Sequence, residues 1–304
     1  MYVYFMGKKL VIGIGCSWTQ GEGGYTSRIW DKYGGRVNLP MNKSTHLIKM
    51  ENQHSWVNVL CKKHFKDYEP VNLGQRGIGN RGAAKSLYLT NIDWDTVDDA
   101  IVVYMLSGFE RFDFFRQWPH DFRDVEKEHA VRHWFKDIGH YNFNTLWPHP
   151  NHNESWTAYS KEIYSEEQTA METYTNIMEV QTFCKAHGFK FVLANAFDGR
   201  GRAELAEVAP TLVDHINWDN YIHTHTAYEC FARLLVDLDG LVEYPGYMNF
   251  YRELKWPAKY LANCIHPTIL GYEVIAEELA QFINYKWFDG PAIAARKTKR
   301  LIDA

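Results

Sequence analysis

Short, continuous apolar runs separated by helical patterns are the feature of this chain that most restricts its fold. The strongest run is AIVVYMLS at 100–107, and runs of the same character occupy 10–15, 69–74 and 189–197. Uninterrupted runs of this length are typical of strands buried on both faces, as in a parallel sheet. We therefore predict that the four runs form the strands of one mainly parallel sheet.

Helical patterns fill the intervals between these runs and continue after the last one. They cover 55–65, 79–92, 169–188 and 271–288. The third pattern ends at a His-Gly pair, a typical helix stop. Alternating strands and helices predict an α/β fold in which helices cover the sheet.

Two aromatic-rich segments interrupt the alternation. Residues 108–168 are rich in Trp, His, Phe and Asn, and residues 241–260 form a second aromatic stretch. We predict that the first is an insertion over the carboxyl edge of the sheet, where open α/β sheets bind ligands, and that the second is a loop on the same rim. The chain is then one domain over 8–288, followed by a polar tail at 289–304.

Composition excludes several classes of protein. The 304 residues carry a formal net charge of −4, which leaves no broad basic face for nucleic acid. The five cysteines contain no C-x-x-C pair, which argues against a disulfide framework or zinc ribbon and fits a reducing compartment. The N-terminus lacks the pattern of a signal peptide, and no apolar run is long enough to span a membrane. We expect a soluble protein, cytoplasmic or virion-associated, that binds neither nucleic acid nor membrane.

The first predicted strand leads into the glycine-containing turn GIGCSWT at 13–19. A dinucleotide-binding turn needs G-x-G-x-x-G, but Trp18 occupies the third glycine position. A phosphate-binding P-loop needs a Lys that is absent here. The remaining interpretation is a nucleophile, either Cys16 or Ser17.

A serine nucleophile needs a positioned histidine to accept its proton. Among the 14 histidines, His266 in NCIHPTILGYEVIAEEL stands on a predicted turn directly before the last long helix. That position places its imidazole at a loop tip beside the sheet edge. The pair Ser17 and His266 is therefore the leading candidate site.

Three segments resemble motifs of the SGNH (GDSL-like) hydrolase family: GIGCSWTQGEG, VNLGQRGIGN and NCIHPTILGYEVIA. The last is the most specific, because its His, Pro, Thr, Gly and Tyr all match the family pattern. The resemblance covers roughly 8–108 and 180–288 and leaves the aromatic insertion outside. It implies a flavodoxin-like three-layer α/β/α sandwich with a mainly parallel sheet.

The resemblance also implies roles for individual residues. Ser17 matches the nucleophile and His266 the general base. The backbone N–H groups of Gly77 and Ser17 match donors of the oxyanion hole, which stabilise a tetrahedral intermediate. The implied chemistry needs no cofactor and no metal.

Two positions depart from the family pattern. The family's third block supplies an Asn donor that is missing here, and Ser107 or Arg111 is the predicted substitute, contacting substrate or oxyanion. Asn263 stands where the family has the Asp that orients the histidine, and an amide carries no charge to stabilise the imidazolium. Three alternatives stay open: a Ser–His dyad, another acid that takes the place of Asp, or weak catalysis.

Structural interpretations compete with these roles. The Ser17 hydroxyl is also a suitable N-cap for the first helix. Cys16 is predicted to point into the core, and Arg111 has Glu110 and Asp113 nearby in sequence for ion pairs on a solvated face. His223 and His225 have no third ligand at clear spacing, so no metal site is predicted.

We therefore predict a serine esterase that removes a short acyl group, such as acetyl, from a carbohydrate. The aromatic rim suits stacking against sugar rings, so the expected partner is an acylated glycan or small molecule. The alternative is a catalytically weak or inactive SGNH-fold module that is structural or binds glycans, for example in a phage virion. The polar tail adds the expectation of a protein partner or a homo-oligomer.

Overall fold

The computed structural model describes the central sheet, its helices and parts of the connecting segments. The described residues are 7–24, 49–75, 77–108, 111–117, 141–146, 162, 165–197, 202–224, 226, 228–240, 259–262 and 266–288. Most of the predicted aromatic insertion, most of the 241–260 loop and the whole predicted tail lie outside these residues. The predicted domain boundaries stay predictions.

Four parallel strands form the central sheet. They are β1 (Lys8–Gly15), β2 (Glu69–Asn72), β3 (Val97–Leu106) and β6 (Lys190–Asn195), in the order β2-β1-β3-β6. Each coincides with one predicted apolar run, so the mainly parallel sheet is confirmed. A single parallel bridge between Leu193 and Tyr221 extends the sheet beyond β6.

Helices occupy the four predicted intervals and several further positions. They are α1 (Ser17–Gln20), α2 (Trp56–Lys63), α3 (Asn80–Leu89), α4 (Glu166–His187), α5 (Arg202–Val208), α6 (Pro210–Val213), α7 (Phe231–Leu238) and α8 (Ile269–Trp287). The predicted stop of α4 is confirmed, because Gly188 follows it in the left-handed conformation at φ 69°. The sequence reasoning had not predicted α5, α6 or α7.

The helices cover both faces of the sheet. Gly13 of β1 faces Trp56 and Val57 of α2. Tyr104, which pairs with the next residue of β1, reaches the opposite side, where its hydroxyl donates a hydrogen bond to the Asn80 carbonyl of α3. Because successive strand residues point to opposite faces, α2 and α3 lie on opposite sides. The described domain therefore has three layers.

Pairs of neighbouring helices complete each outer layer. On one side, the end of α2 is linked to α8 by the ion pair Lys63–Glu273 at 3.0 Å and by a contact of 3.3 Å between His64 and Glu277. On the other side, Lys85 of α3 pairs with Glu179 of α4. Such surface contacts contribute little stability, whereas the apolar strands between the helices provide the buried core.

The predicted insertion contains a β-hairpin that the sequence reasoning missed. Strands β4 (Phe112–Gln117) and β5 (Tyr141–Leu146) are antiparallel, with Phe112 opposite Leu146 and Gln117 opposite Tyr141. They are separate from the central sheet. The segment after β3 therefore contains regular structure, and its first residues lie beside the carboxyl edge of the sheet.

Strand order determines where a ligand crevice forms. The chain passes from β1 to β2 on one side and then to β3 on the other side of β1. In doubly wound sheets such a reversal opens a crevice beyond the carboxyl ends of the two adjacent strands. The segments that follow β1 and β3 carry Ser17 and Ser107, so both lie at this edge.

Candidate active site

Ser17 is the first residue of the short helix α1, which begins directly after β1. Cys16 occupies the N-cap position, so the alternative in which Ser17 caps this helix is wrong. The Cys16 side chain is fully buried, as predicted for a core residue. Ser17 itself is 5% exposed, and its backbone N–H belongs to the first turn of α1, where no carbonyl of the same helix can accept it.

The structure brings Ser17 and His266 together. Ser17 Oγ and His266 Nε2 are 2.7 Å apart, although 249 positions separate the residues in the chain. The backbone around the histidine is fixed, because the His266 carbonyl accepts a hydrogen bond from the Ala262 N–H at 2.8 Å. Thr268 then caps α8 by accepting a hydrogen bond from the Gly271 N–H. A rigid turn therefore presents the imidazole to the hydroxyl.

A carboxylate that the sequence reasoning missed lies beside this pair. Glu22 Oε2 lies 3.4 Å from His266 Nε2, and the two side chains are 24% and 14% exposed. The available signal was the position of Glu22 in the QGEG part of the first motif, between two glycines. Asn263, the predicted orienting residue, lies outside the described residues.

Gly77 lies on the loop between β2 and α3 and has a left-handed backbone at φ 73°. The same loop is attached to the end of β1, because the Gln75 N–H donates to the Gly15 carbonyl at 3.1 Å. The next N–H groups have partners: that of Ile78 donates to Gln75 at 3.4 Å and that of Gly79 to Asp113 at 2.9 Å. In the part of the chain that the structure describes, the Gly77 N–H has no hydrogen-bond partner.

Ser107 and Arg111 both contact this loop. The Ser107 N–H donates to Asn80 Oδ1 at 2.8 Å, and its hydroxyl lies 3.4 Å from the Ile78 carbonyl. Arg111 Nη1 donates to the same carbonyl at 3.1 Å. These contacts hold the Gly77 loop in place, while the predicted contacts of Ser107 and Arg111 with substrate or oxyanion stay predictions.

Asp113 is a second residue that the sequence reasoning did not assign to the site. It was considered only as a surface partner for Arg111, yet its side chain is 1% exposed. Its carboxylate accepts hydrogen bonds from the backbone N–H groups of Gly79 and Gly82, at 2.9 and 2.6 Å. A carboxylate is favoured at a helix N-terminus because it meets unpaired N–H groups and the positive end of the helix dipole. Asp113 therefore anchors the hairpin to the start of α3.

An aromatic stack connects the ends of three strands. The Arg111 guanidinium, after β3, lies over the ring of Phe197, which follows β6, at 5.7 Å. Phe197 meets the edge of Trp18, after β1, at a centroid distance of 5.1 Å. Trp18 is 1% exposed and belongs to the core, consistent with the exclusion of a dinucleotide-binding turn. These contacts link the segments that follow β1, β3 and β6.

The His223 side chain is buried and is held by a backbone hydrogen bond. Its Nε2 accepts a hydrogen bond from the Asn195 N–H at 3.0 Å, and desolvation by burial lowers its pKa from 6.5 to about 4. His225 lies outside the described residues. Within the described ranges no group of three or more His, Cys, Asp or Glu side chains is placed to hold a metal ion.

The described site thus belongs to the class of α/β proteins with a serine–histidine pair at the carboxyl edge of a parallel sheet. No family model matches the sequence, and no curated protein matches it. Among solved structures, the chain is similar to an acetyl xylan esterase (Est2A) from the rumen bacterium Butyrivibrio proteoclasticus, with 14% identity and a TM-score of 0.44. The match covers 94% of this chain and 65% of the esterase chain. None of the described helices is long and apolar enough to cross a membrane.

Proposed function

We propose that this protein is a serine esterase of the SGNH type that removes a short acyl group, such as acetyl, from a carbohydrate. The observation that carries the proposal is the 2.7 Å distance between Ser17 Oγ and His266 Nε2. A hydroxyl and an imidazole at this distance are placed for proton transfer during nucleophilic attack.

In the proposed reaction, Ser17 Oγ attacks the ester carbonyl carbon while His266 Nε2 accepts the hydroxyl proton. The carbonyl oxygen becomes an oxyanion, for which the N–H groups of Ser17 and Gly77 are the proposed donors. When the tetrahedral intermediate collapses, the proton passes from His266 to the departing alcohol. Water then hydrolyses the acyl-enzyme by the same sequence of steps.

The substrate class rests on composition. Aromatic residues make up 15% of the chain and are concentrated in 108–168 and 241–260. Aromatic side chains offer flat apolar faces with polar edges, which suit the alternating apolar and hydroxyl surfaces of sugar rings. An acylated glycan is therefore the proposed substrate, and an acylated small molecule is the alternative within the same class of esters.

The proposal is tested with purified protein and two reagents. A fluorophosphonate probe is expected to label Ser17, and p-nitrophenyl acetate is expected to be hydrolysed. Ser17→Ala and His266→Ala are expected to lose both properties. Ser86→Ala is the matched control, because this hydroxyl donates to Ala83 within α3 and lies outside the proposed machinery. Hydrolysis that survives Ser17→Ala would refute the assignment, and a panel of acetylated sugars identifies the leaving group.

A second candidate is a binding or structural module that has kept the fold without the catalysis. The observation that favours it is Asn263, an amide where related hydrolases have a carboxylate. The same probe separates the two candidates. Folded protein that forms no adduct at Ser17, yet retains binding to acetylated glycans, supports the module.

A further inference from the structure

We propose that Glu22 is the carboxylate that stabilises the imidazolium of His266, supplying the negative charge that the amide of Asn263 lacks. This inference rests on the proposed esterase function and names a further residue for its site. The supporting contact is the ion-pairing distance of 3.4 Å between Glu22 Oε2 and His266 Nε2.

The backbone holds Glu22 from two directions. Its N–H donates to the Ser17 carbonyl at 3.1 Å, which fixes it to the helix that carries the hydroxyl. Its carbonyl accepts a hydrogen bond from the Tyr272 hydroxyl at 2.7 Å, which fixes it to the helix that follows the histidine. The Glu22 backbone is thus held by Ser17 on one side and, on the other, by the helix that follows His266.

The two flanking glycines make this turn possible. Gly21 has φ 105° and Gly23 has φ 94°, a conformation that side chains rarely tolerate. A Cβ at Gly23 would lie 2.6 Å from His266 Cβ, so the turn packs directly on the histidine. A glycine on each side of one acid therefore lets the chain turn tightly enough to place the carboxylate beside the imidazole.

The position of this carboxylate determines what it can do. In the Ser-His-Asp arrangement the acid bonds Nδ1 and selects the tautomer, whereas Glu22 faces Nε2. When Ser17 Oγ forms its bond to the acyl carbon, its proton moves to Nε2 and the ring becomes positive. The Glu22 carboxylate forms no covalent bond and lowers the energy of this cation by charge attraction. The proton then leaves with the alcohol.

The same attraction acts on the free protein. A nearby carboxylate favours the protonated imidazole, which cannot accept the Ser17 proton. Activity should therefore appear at a higher pH than it would without this carboxylate. Other titratable side chains on the elements around this turn are Lys49, Glu51 and His54 from residues 49–54, Lys259 and Tyr260 before the histidine, and Tyr272 and Glu273 at the start of α8. They are identical in every variant compared, so the comparison isolates Glu22.

The test compares the wild type with Glu22→Gln across pH, using p-nitrophenyl acetate. We expect the rate plateau of the variant to fall roughly tenfold and the acid limb to move about one pH unit lower. Glu22→Asp should recover part of the plateau. Glu277→Gln is the matched control, because it removes a similar Glu–His pair, at 3.3 Å from His64, farther along α8. A structural defect alone would lower the rate without moving the acid limb.

A second measurement keeps this inference separate from the proposed function. NMR titration of His266 in the Ser17→Ala background should show its midpoint about one pH unit lower when Glu22 is also changed to Gln. If the wild type hydrolyses the ester but neither the acid limb nor the midpoint moves, Glu22 has no such role and the esterase assignment stands. If the wild type neither hydrolyses the ester nor reacts with the probe, the proposed function fails, and an unchanged midpoint then overturns the inference as well.

Discussion

The buried carboxylate of Asp113 accepts a hydrogen bond from the Gly82 N–H at 2.6 Å, and this contact joins the hairpin to the first turn of α3. The Gly77 loop enters the same turn. Arg111 and Ser107, from the same segment after β3, contact the Ile78 carbonyl within that loop. The segment following β3 therefore supports the loop that the proposed mechanism uses as an oxyanion donor.

Replacing this carboxylate by an amide should weaken both the fold and the site. Asp113→Asn keeps one acceptor oxygen, so either the Gly79 or the Gly82 N–H loses its partner. We expect the free energy of unfolding to fall by about 1–3 kcal/mol, with a lower rate of probe labelling at Ser17. Denaturant unfolding and labelling kinetics measure the two effects.

Asp93→Asn is the comparison for this change, because Asp93 caps only a short 3₁₀ turn at the surface. It should leave labelling unchanged. Equal labelling rates for Asp113→Asn and the wild type would show that the anchor does not influence the loop.

Gly23→Ala should damage the site more than it damages the fold. The substitution places a side chain at φ 94°, with Cβ 2.6 Å from His266 Cβ and 2.9 Å from the Pro267 carbonyl oxygen. The histidine must move, so hydrolysis should fall by on the order of tenfold or more. The measurement is kcat/KM for p-nitrophenyl acetate.

Gly188→Ala provides the control for backbone strain. This glycine also has positive φ, at 69°, but a Cβ there would meet nothing within 4 Å. It should cost about 1 kcal/mol of stability and leave hydrolysis unchanged. If both variants lost activity equally, the contact between Gly23 and His266 would not be the cause.

Tyr272→Phe should loosen the turn that carries Glu22. The variant removes the hydroxyl that donates to the Glu22 carbonyl at 2.7 Å and leaves that carbonyl without this partner. We expect a stability loss of about 1–2 kcal/mol and a several-fold drop in hydrolysis. In Tyr68→Phe the lost hydroxyl donates to Asp99 near the amino edge of the sheet, so that variant should lose stability but keep its rate.

Acidification should destabilise the protein through His223. Burial lowers its pKa to about 4, below the ordinary 6.5, so the unfolded chain takes up this proton first as the pH falls. The stabilisation is therefore complete above about pH 6.5 and is lost as the pH falls toward 4, by at most about 3 kcal/mol.

Unfolding free energies at several pH values between 4 and 7 measure this dependence. His223→Gln should be less stable at pH 7 but should show a shallower decline than the wild type. Parallel curves for the two proteins would mean that another group causes the acid sensitivity.

The sequence allowed the central sheet and the main helices to be predicted, because continuous apolar runs and helical periodicity are local signals. The hairpin of β4 and β5 could not be found in this way. Its pairing joins Phe112 to Leu146 across a long intervening segment, and neither strand has a strong apolar run. The surrounding aromatic composition indicated an insertion but not its pairing.

The candidate site was only partly predictable, for a related reason. Ser17 follows the first predicted strand and His266 precedes the last predicted helix, and these positions place both residues at the sheet edge. The positions of Glu22 and Asp113 depend on the folded structure. Glu22 is placed by two glycines with left-handed backbones, and Asp113 by its contact with the start of a helix in another part of the chain. Nothing in the local sequence of Asp113 distinguishes a buried anchor from a surface acid.

The 249-residue separation between Ser17 and His266 also has a consequence for how the protein is made. The hydroxyl emerges from the ribosome with the first strand, whereas its imidazole partner emerges only just before the last helix. The contact between Ser17 and His266 therefore cannot form on a nascent chain until nearly all of the described domain has been synthesised and α8 has docked beside α2. The time during translation at which the probe first labels Ser17 would consequently report when the fold is complete.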